Sequence, residues 1–117
     1  MSFVRGGVYL ANMNPSRGAE IGKVRPVLVI QSNQLNNIQH PTVNILPLTS
    51  CLKDDTFLHF RIKQRDQLRA DSDVICDYVR AIDANKFTSN ALTTLSQNEM
   101  QQIEKKLEWI LGFHDEP

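Results

Sequence analysis

Arg25, the pair Thr49-Ser50 and Asp77 are the residues whose types and settings could do chemistry in this chain. Arg25 stands directly before Pro26, and the clash with a proline ring pushes the preceding residue out of the helical region into an extended one. Residues 27–30 are all apolar, the pattern of a strand buried on both faces. A guanidinium, a planar fork suited to phosphate, is thereby fixed at a rigid strand mouth. Arginines in such places commonly do no more than pair with a surface carboxylate, and on this stretch alone that reading has precedence. Thr49-Ser50 closes another apolar run, and Asp77 lies in a later one. The common enzyme templates are missing: there is no phosphate loop, dinucleotide fingerprint, metalloprotease helix or G-x-S-x-G elbow. His40, His59 and His114 are isolated from one another and read as surface residues, and the carboxylates are scattered rather than paired.

The chain that must position these groups has 117 residues, enough for one domain, 1–117, with a real core. A hydrophobic share of 41% and a charged share of 22% describe an ordinary globular protein. No apolar run approaches the length of a membrane span, and the first residues lack the apolar centre of a signal peptide, so the expected compartment is the cytoplasm. Cys51 and Cys76 have no metal-type spacing and support neither a zinc site nor a disulfide framework. A formal net charge of zero argues against non-specific coating of nucleic acid. The charge is nonetheless uneven. Residues 1–25 hold Arg5, Arg17, Lys23 and Arg25 against Glu20 alone, residues 53–70 hold Lys53, Arg61, Lys63, Arg65 and Arg69 against three aspartates, and the acidic excess follows residue 70.

Strands lead and a helix closes. Residues 7–11 form a first strand, ended by turn-forming residues 12–16. Residues 14–24 show no periodicity and are long for a hairpin connection, as binding loops and lids tend to be. A strand over 24–31, a polar loop or single helical turn over 32–37, and a strand over 42–49 follow. Pro47 in that last strand suggests an edge or a bulge. Residues 56–63 alternate cleanly, with Leu58, Phe60 and Ile62 on one face and His59, Arg61 and Lys63 on the other. Outward cations that keep an edge strand soluble and a basic surface for a nucleic-acid strand explain that face equally well. Residues 73–80 read as one strand, 81–87 turn through a short helix, and 91–95 add a short strand. Ser96 and Glu99 make a capping box. At about 100° per residue, Met100, Ile103, Leu107, Ile110 and Leu111 share the core stripe. Trp109 and Phe113 lie opposite, as partly exposed aromatics or interface anchors. Gly112 is placed to stop the helix.

Three blocks of this sequence resemble the MazF/PemK (Kid) toxins of type II toxin–antitoxin systems. The first runs from Arg5-Gly6-Gly7-Val8-Tyr9 through the residues 14–30, the second is Leu46-Pro47-Leu48-Thr49-Ser50, and the third is Asp77-Tyr78-Val79-Arg80-Ala81-Ile82-Asp83. They occur in order at suitable spacing, and the terminal helix falls where the family has one.

The resemblance implies an α+β fold, an SH3-like β-barrel of mostly antiparallel strands with short helices and a C-terminal helix. It implies a homodimer that cleaves single-stranded RNA at short motifs, without metal or other cofactor, by attack of the ribose 2′-OH on the adjacent phosphate. The expected products are a cyclic phosphate and a 5′-OH end. Arg25, Thr49 and Glu20 match catalytic positions, with Arg25 assigned to charge stabilisation because its pKa unfits it for proton transfer, and with the general base left open. Ser16, Arg17, Lys23, Ser50, His59, Arg61, Lys63, Asp77 and Tyr78 are the expected RNA contacts. The expected partners are single-stranded RNA and a cognate antitoxin with an acidic, disordered inhibitory segment, with no membrane. Ala19 and Ile75 depart from the histidine and arginine of the Kid branch, and Tyr78 from the glutamine common in the third block. Two other readings stay open: a gyrase poison similar to CcdB, faintly suggested by residues 109–113, and a catalytically inactive SH3-like binding module.

Overall fold

The computed structural model describes residues 2–14, 18 and 23–113. Its strands are β1 (Gly7–Asn12), β2 (Val24–Val29), β3 (Thr42–Thr49), β4 (His59–Ile62), β5 (Ser72–Ile75), β6 (Arg80–Asp83) and β7 (Thr93–Thr94). The helices are α1 (Asn33–Asn37), a 3-10 turn over Ala84–Lys86, and α2 (Gln97–Ile110). All described pairings are antiparallel, in the order β4-β5-β3-β2-β1-β7, with β6 also paired to β3. The sheet curls into the half-barrel expected of an SH3-like fold.

Strand alternation splits the core in two. Even-numbered Val8, Leu28, Leu46, Leu48, Ile62 and Val74 face α2, where Met100 and Ile103 are buried against them. Odd-numbered Tyr9, Ala11, Val27, Val29, Val43 and Ile45 face the other way, under Phe3, Ile82 and Phe87. Phe3, Tyr9 and Phe87 meet as a tilted and edge-on aromatic cluster. Val27 to Val29 are fully buried, the two-sided burial read from the sequence.

Helix α2 begins as expected. The Ser96 hydroxyl accepts from Glu99 N–H, and Glu99 accepts from Ser96 N–H, a cap worth about 1 kcal/mol. Gly112, at a φ of +81°, ends it in the left-handed conformation that favours glycine. Leu107 and Ile110 complete the core stripe, while Leu111 lies largely exposed beyond it. Trp109 is half-buried and sits edge-on to Phe57, and Lys106 lies over the same ring. The aromatic expected outside the core stripe therefore pins the loop before β4.

Three expectations need correction, the first being the short helix over 81–87: residues 81–83 belong to β6, and only Ala84–Lys86 turn helically. Residues 73–80 are not one strand: β5 ends at Ile75 and β6 starts at Arg80, with a turn in which Tyr78 N–H donates to Ile75 O. The turn lacks glycine and proline, so no local signal marked it. Pro47 is not on an edge strand, because β3 pairs with β2, β5 and β6. It falls where the outer side of β3 passes from β6, last paired at Ile45, to β5, first paired at Leu48. A residue without an N–H suits that gap.

Candidate active site

One cross-strand row carries the chemistry. In the β3–β5 ladder Thr49 faces Asp73, and in the β4–β5 ladder Asp73 faces Arg61. Val27 faces Pro47 between β2 and β3, and two more residues of that register bring Arg25 opposite Thr49. Residues opposed across a sheet share a face. Arg25, Thr49, Asp73 and Arg61 thus stand in line on the odd-numbered face, at the end its aromatic cluster does not cover, with His59 one pleat from Arg61.

Thr49 divides two clefts. One, of about 340 Å³, is lined by Lys23, Arg25, Ser50, Arg69 and Ser72 among others, and no carboxylate is among its described lining. Arg25 donates from Nη1 to Leu48 O at 3.1 Å, which aims the guanidinium along the strand end. Partial burial lowers its pKa from the ordinary value, with nearby Cys51 opposing the shift. Lys23 has a left-handed backbone, φ +71°, held by its N–H to Asn14 Oδ1 and its carbonyl to Met13 N–H. The second cleft, of about 450 Å³, mixes Lys53, Asp55, His59, Asp77 and Tyr78 with Cys51. The Thr49 hydroxyl accepts from Cys51 N–H at 3.1 Å, leaving its own proton to donate.

Asp73 organises the far end of the row. It is 1% exposed and accepts from Arg61 Nε at 2.9 Å, from Lys53 N–H at 2.8 Å and from His59 Nδ1 at 3.0 Å. Burial opposes its ionisation, but these bonds outweigh burial and hold the carboxyl at about 2. Arg61 also pairs with Asp54.

The expected contacts therefore divide. Arg25, Thr49, Lys23 and Ser50 converge on the first cleft, and His59, Asp77 and Tyr78 share the second with Thr49. Arg61 and Lys63 line neither, and Arg61 is spent on carboxylates. β4 is an edge strand, as the simpler reading had it, yet His59 is not a surface histidine: its side chain is 12% exposed. Ser16, Arg17 and Glu20 lie outside the described residues. Arg69, Cys51 and Asp73 were missed. Arg69 sits in the loop between β4 and β5, beside buried Leu68 whose bridge to Arg65 folds that loop back. Only topology reveals its place.

The family described as PemK-like, MazF-like toxin of type II toxin–antitoxin system matches residues 4–111. The chain belongs to that family. Its relatives include an endoribonuclease MazF of Staphylococcus saprophyticus, 35% identical over 112 residues, covering 94% of this chain and 92% of that protein. The fold is that of MazF from Deinococcus radiodurans, with a TM-score of 0.82, 21% identity, and 96% and 98% of the two chains covered. It is also that of a mycobacterial endoribonuclease solved with its cognate antitoxin, with a TM-score of 0.75, 18% identity, and 97% and 98% covered. The MazF/PemK resemblance thus holds along the chain, and the CcdB likeness at its end is set aside. No helix among the described residues is long and apolar enough to cross a membrane.

Proposed function

We propose that the protein is an endoribonuclease that cuts single-stranded RNA at short sequence motifs. A ribose 2′-OH attacks the adjacent phosphorus, leaving a cyclic phosphate and a free 5′-OH. The observation that carries this reading is Arg25 in line with Thr49 at a cleft of three cations without a carboxylate in its described lining.

Attack at phosphorus puts negative charge on the non-bridging oxygens, and preorganised donors in a partly dry site stabilise it most. Arg25 brings its guanidinium charge there and Thr49 a hydroxyl proton. Lys23, Arg69 and Ser50 hold the flanking backbone, while His59, Asp77 and Tyr78 meet the nucleotide across Thr49. Because Arg25 supplies the charge, the scheme calls on no metal ion. Glu20, Ser16 and Arg17 belong to the same site by family position. Lys63, exposed on the edge strand, adds long-range attraction rather than contact.

The working form is a cytoplasmic homodimer. Its control is an antitoxin whose acidic segment, disordered until bound, competes with RNA for the cationic cleft. The mycobacterial endoribonuclease of the same fold, solved with its cognate antitoxin, supports the antitoxin as a partner. The test is incubation of the purified protein with a long RNA in chelator, followed by mapping of the product ends. Cyclic phosphate and 5′-OH ends at recurring short motifs are expected. Intact RNA, or cleavage that depends on added magnesium, would overturn the reading.

A further inference from the structure

We infer that His59 is the proton acceptor for the 2′-OH, oriented by Asp73 as a positioning residue. This rests on the RNA-cleavage reading above and assigns the role that reading leaves vacant.

Four observations converge on the imidazole. Its Nδ1 lies 3.0 Å from Asp73 Oδ2. Asp73 is buried and ionised at neutral pH, with its other bonds fixed by Arg61 and the Lys53 N–H. A buried carboxylate that accepts from Nδ1–H sets the tautomer in which Nε2 carries the free lone pair. Among the described residues Nε2 has no hydrogen-bond partner. Finally, His59 and Thr49 line one cleft while Thr49 and Arg25 line the other, so the imidazole and the guanidinium flank the same threonine.

The two aspartates that share this cleft fit the task less well. Asp77 is exposed on a turn, and Asp55 is exposed on the loop before β4. Among the described residues, neither has a hydrogen-bonding group behind it of the kind Asp73 provides for His59.

The step balances as follows. Nε2 takes the 2′-OH proton while the 2′-oxygen bonds to phosphorus. The bond from phosphorus to the 5′-oxygen breaks, and the departing oxygen takes a proton from water. The imidazolium returns its proton to the hydroxide so formed. A well-placed general base contributes roughly 10²–10⁴-fold.

The test is single-turnover cleavage of a defined RNA by the full chain as pH is lowered from neutrality, in wild type, His59→Asn and His59→Ala. The asparagine amide can still donate to Asp73, so His59→Asn keeps the brace on β4 and carries the test if His59→Ala fails to fold. The titratable and charged groups that share its cleft or pair with Asp73 (Asp73, Arg61, Lys53, Asp55, Asp77, Tyr78 and Cys51) are present in all three proteins, so a pH limb lost only with the imidazole belongs to it. Expected are a rate loss of about 10²–10⁴-fold in His59→Asn, an acidic limb present in wild type and absent in the variant, a loss of affinity for a 2′-deoxy oligonucleotide far smaller than the loss of rate, and partial recovery of His59→Ala by added imidazole. A His59→Asn rate within a few-fold of wild type would overturn the inference. So would a slow variant that keeps the acidic limb, which would make His59 a brace for the edge strand. Wild type that leaves RNA intact would instead overturn the activity itself.

Discussion

The two clefts that meet at Thr49 are built on one pleated face, yet they are chemically unlike. The cleft on the β2 side gathers Lys23, Arg25 and Arg69 with no carboxylate in its described lining. The cleft on the β4 and β5 side mixes acids, a lysine and a histidine, and its buried Asp73 has already taken up Arg61. A row of side chains set by strand register thus separates charge stabilisation from proton transfer, with one threonine between them. At its other end the same face is core, built on Phe3, Tyr9 and Phe87 with their apolar neighbours. The pleat supplies direction, and what covers the face decides whether the row becomes core or site.

Apart from the His59 variants, the largest effect should come from the cationic side. Arg25→Ala is expected to slow single-turnover cleavage by about 10²–10³-fold, with the melting temperature little changed because Arg25 is only half-buried at the mouth of the sheet. A near wild-type rate would abolish the distinction between the clefts.

The other side should show itself in stability. Asp73 has a folded-state pKa of about 2, below the ordinary carboxylate value of about 3.9. Its contribution, on the order of 2 kcal/mol, is therefore present above the ordinary carboxylate range and lost as pH falls through the folded value. Acid denaturation should steepen in that window in wild type, and Asp73→Asn should flatten it while lowering stability at neutral pH. An identical acid profile in the two proteins would remove Asp73 as the organiser of that cleft.

The smallest effects should separate contacts from bystanders. Arg69→Ala or Lys23→Ala should each weaken binding of an uncleavable single strand about equally across sequences and reduce the salt slope by about one. Lys63→Ala should change the slope by less. Equal effects from Lys63 and Arg69 would mean that RNA tracks the edge strand rather than the cleft.

Much of this was legible in the sequence because it is written in short-range patterns. The apolar run after Arg25, the strand ending at Thr49 and the capping box at Ser96 each reflect constraints between residues a few positions apart. The break between β5 and β6 was not, since Asp77 is the one turn-forming residue there and the apolar residues around it suit a strand. His59 looked like an outward residue because its alternation is correct. What encloses it is Asp73, fourteen positions on and one strand away. Arg69 belongs to the site only because the β4–β5 loop folds back beside β2, and no local pattern reports that.

The most direct measurement replaces one ribose at a mapped cut site by 2′-deoxyribose in an otherwise natural RNA. Cleavage at that bond should vanish while flanking sites are cut and binding holds, because the attacking group is gone and the cationic cleft still reads the same phosphates. Continued cleavage at the deoxy position would contradict attack by the 2′-OH, and with it the division of labour across Thr49.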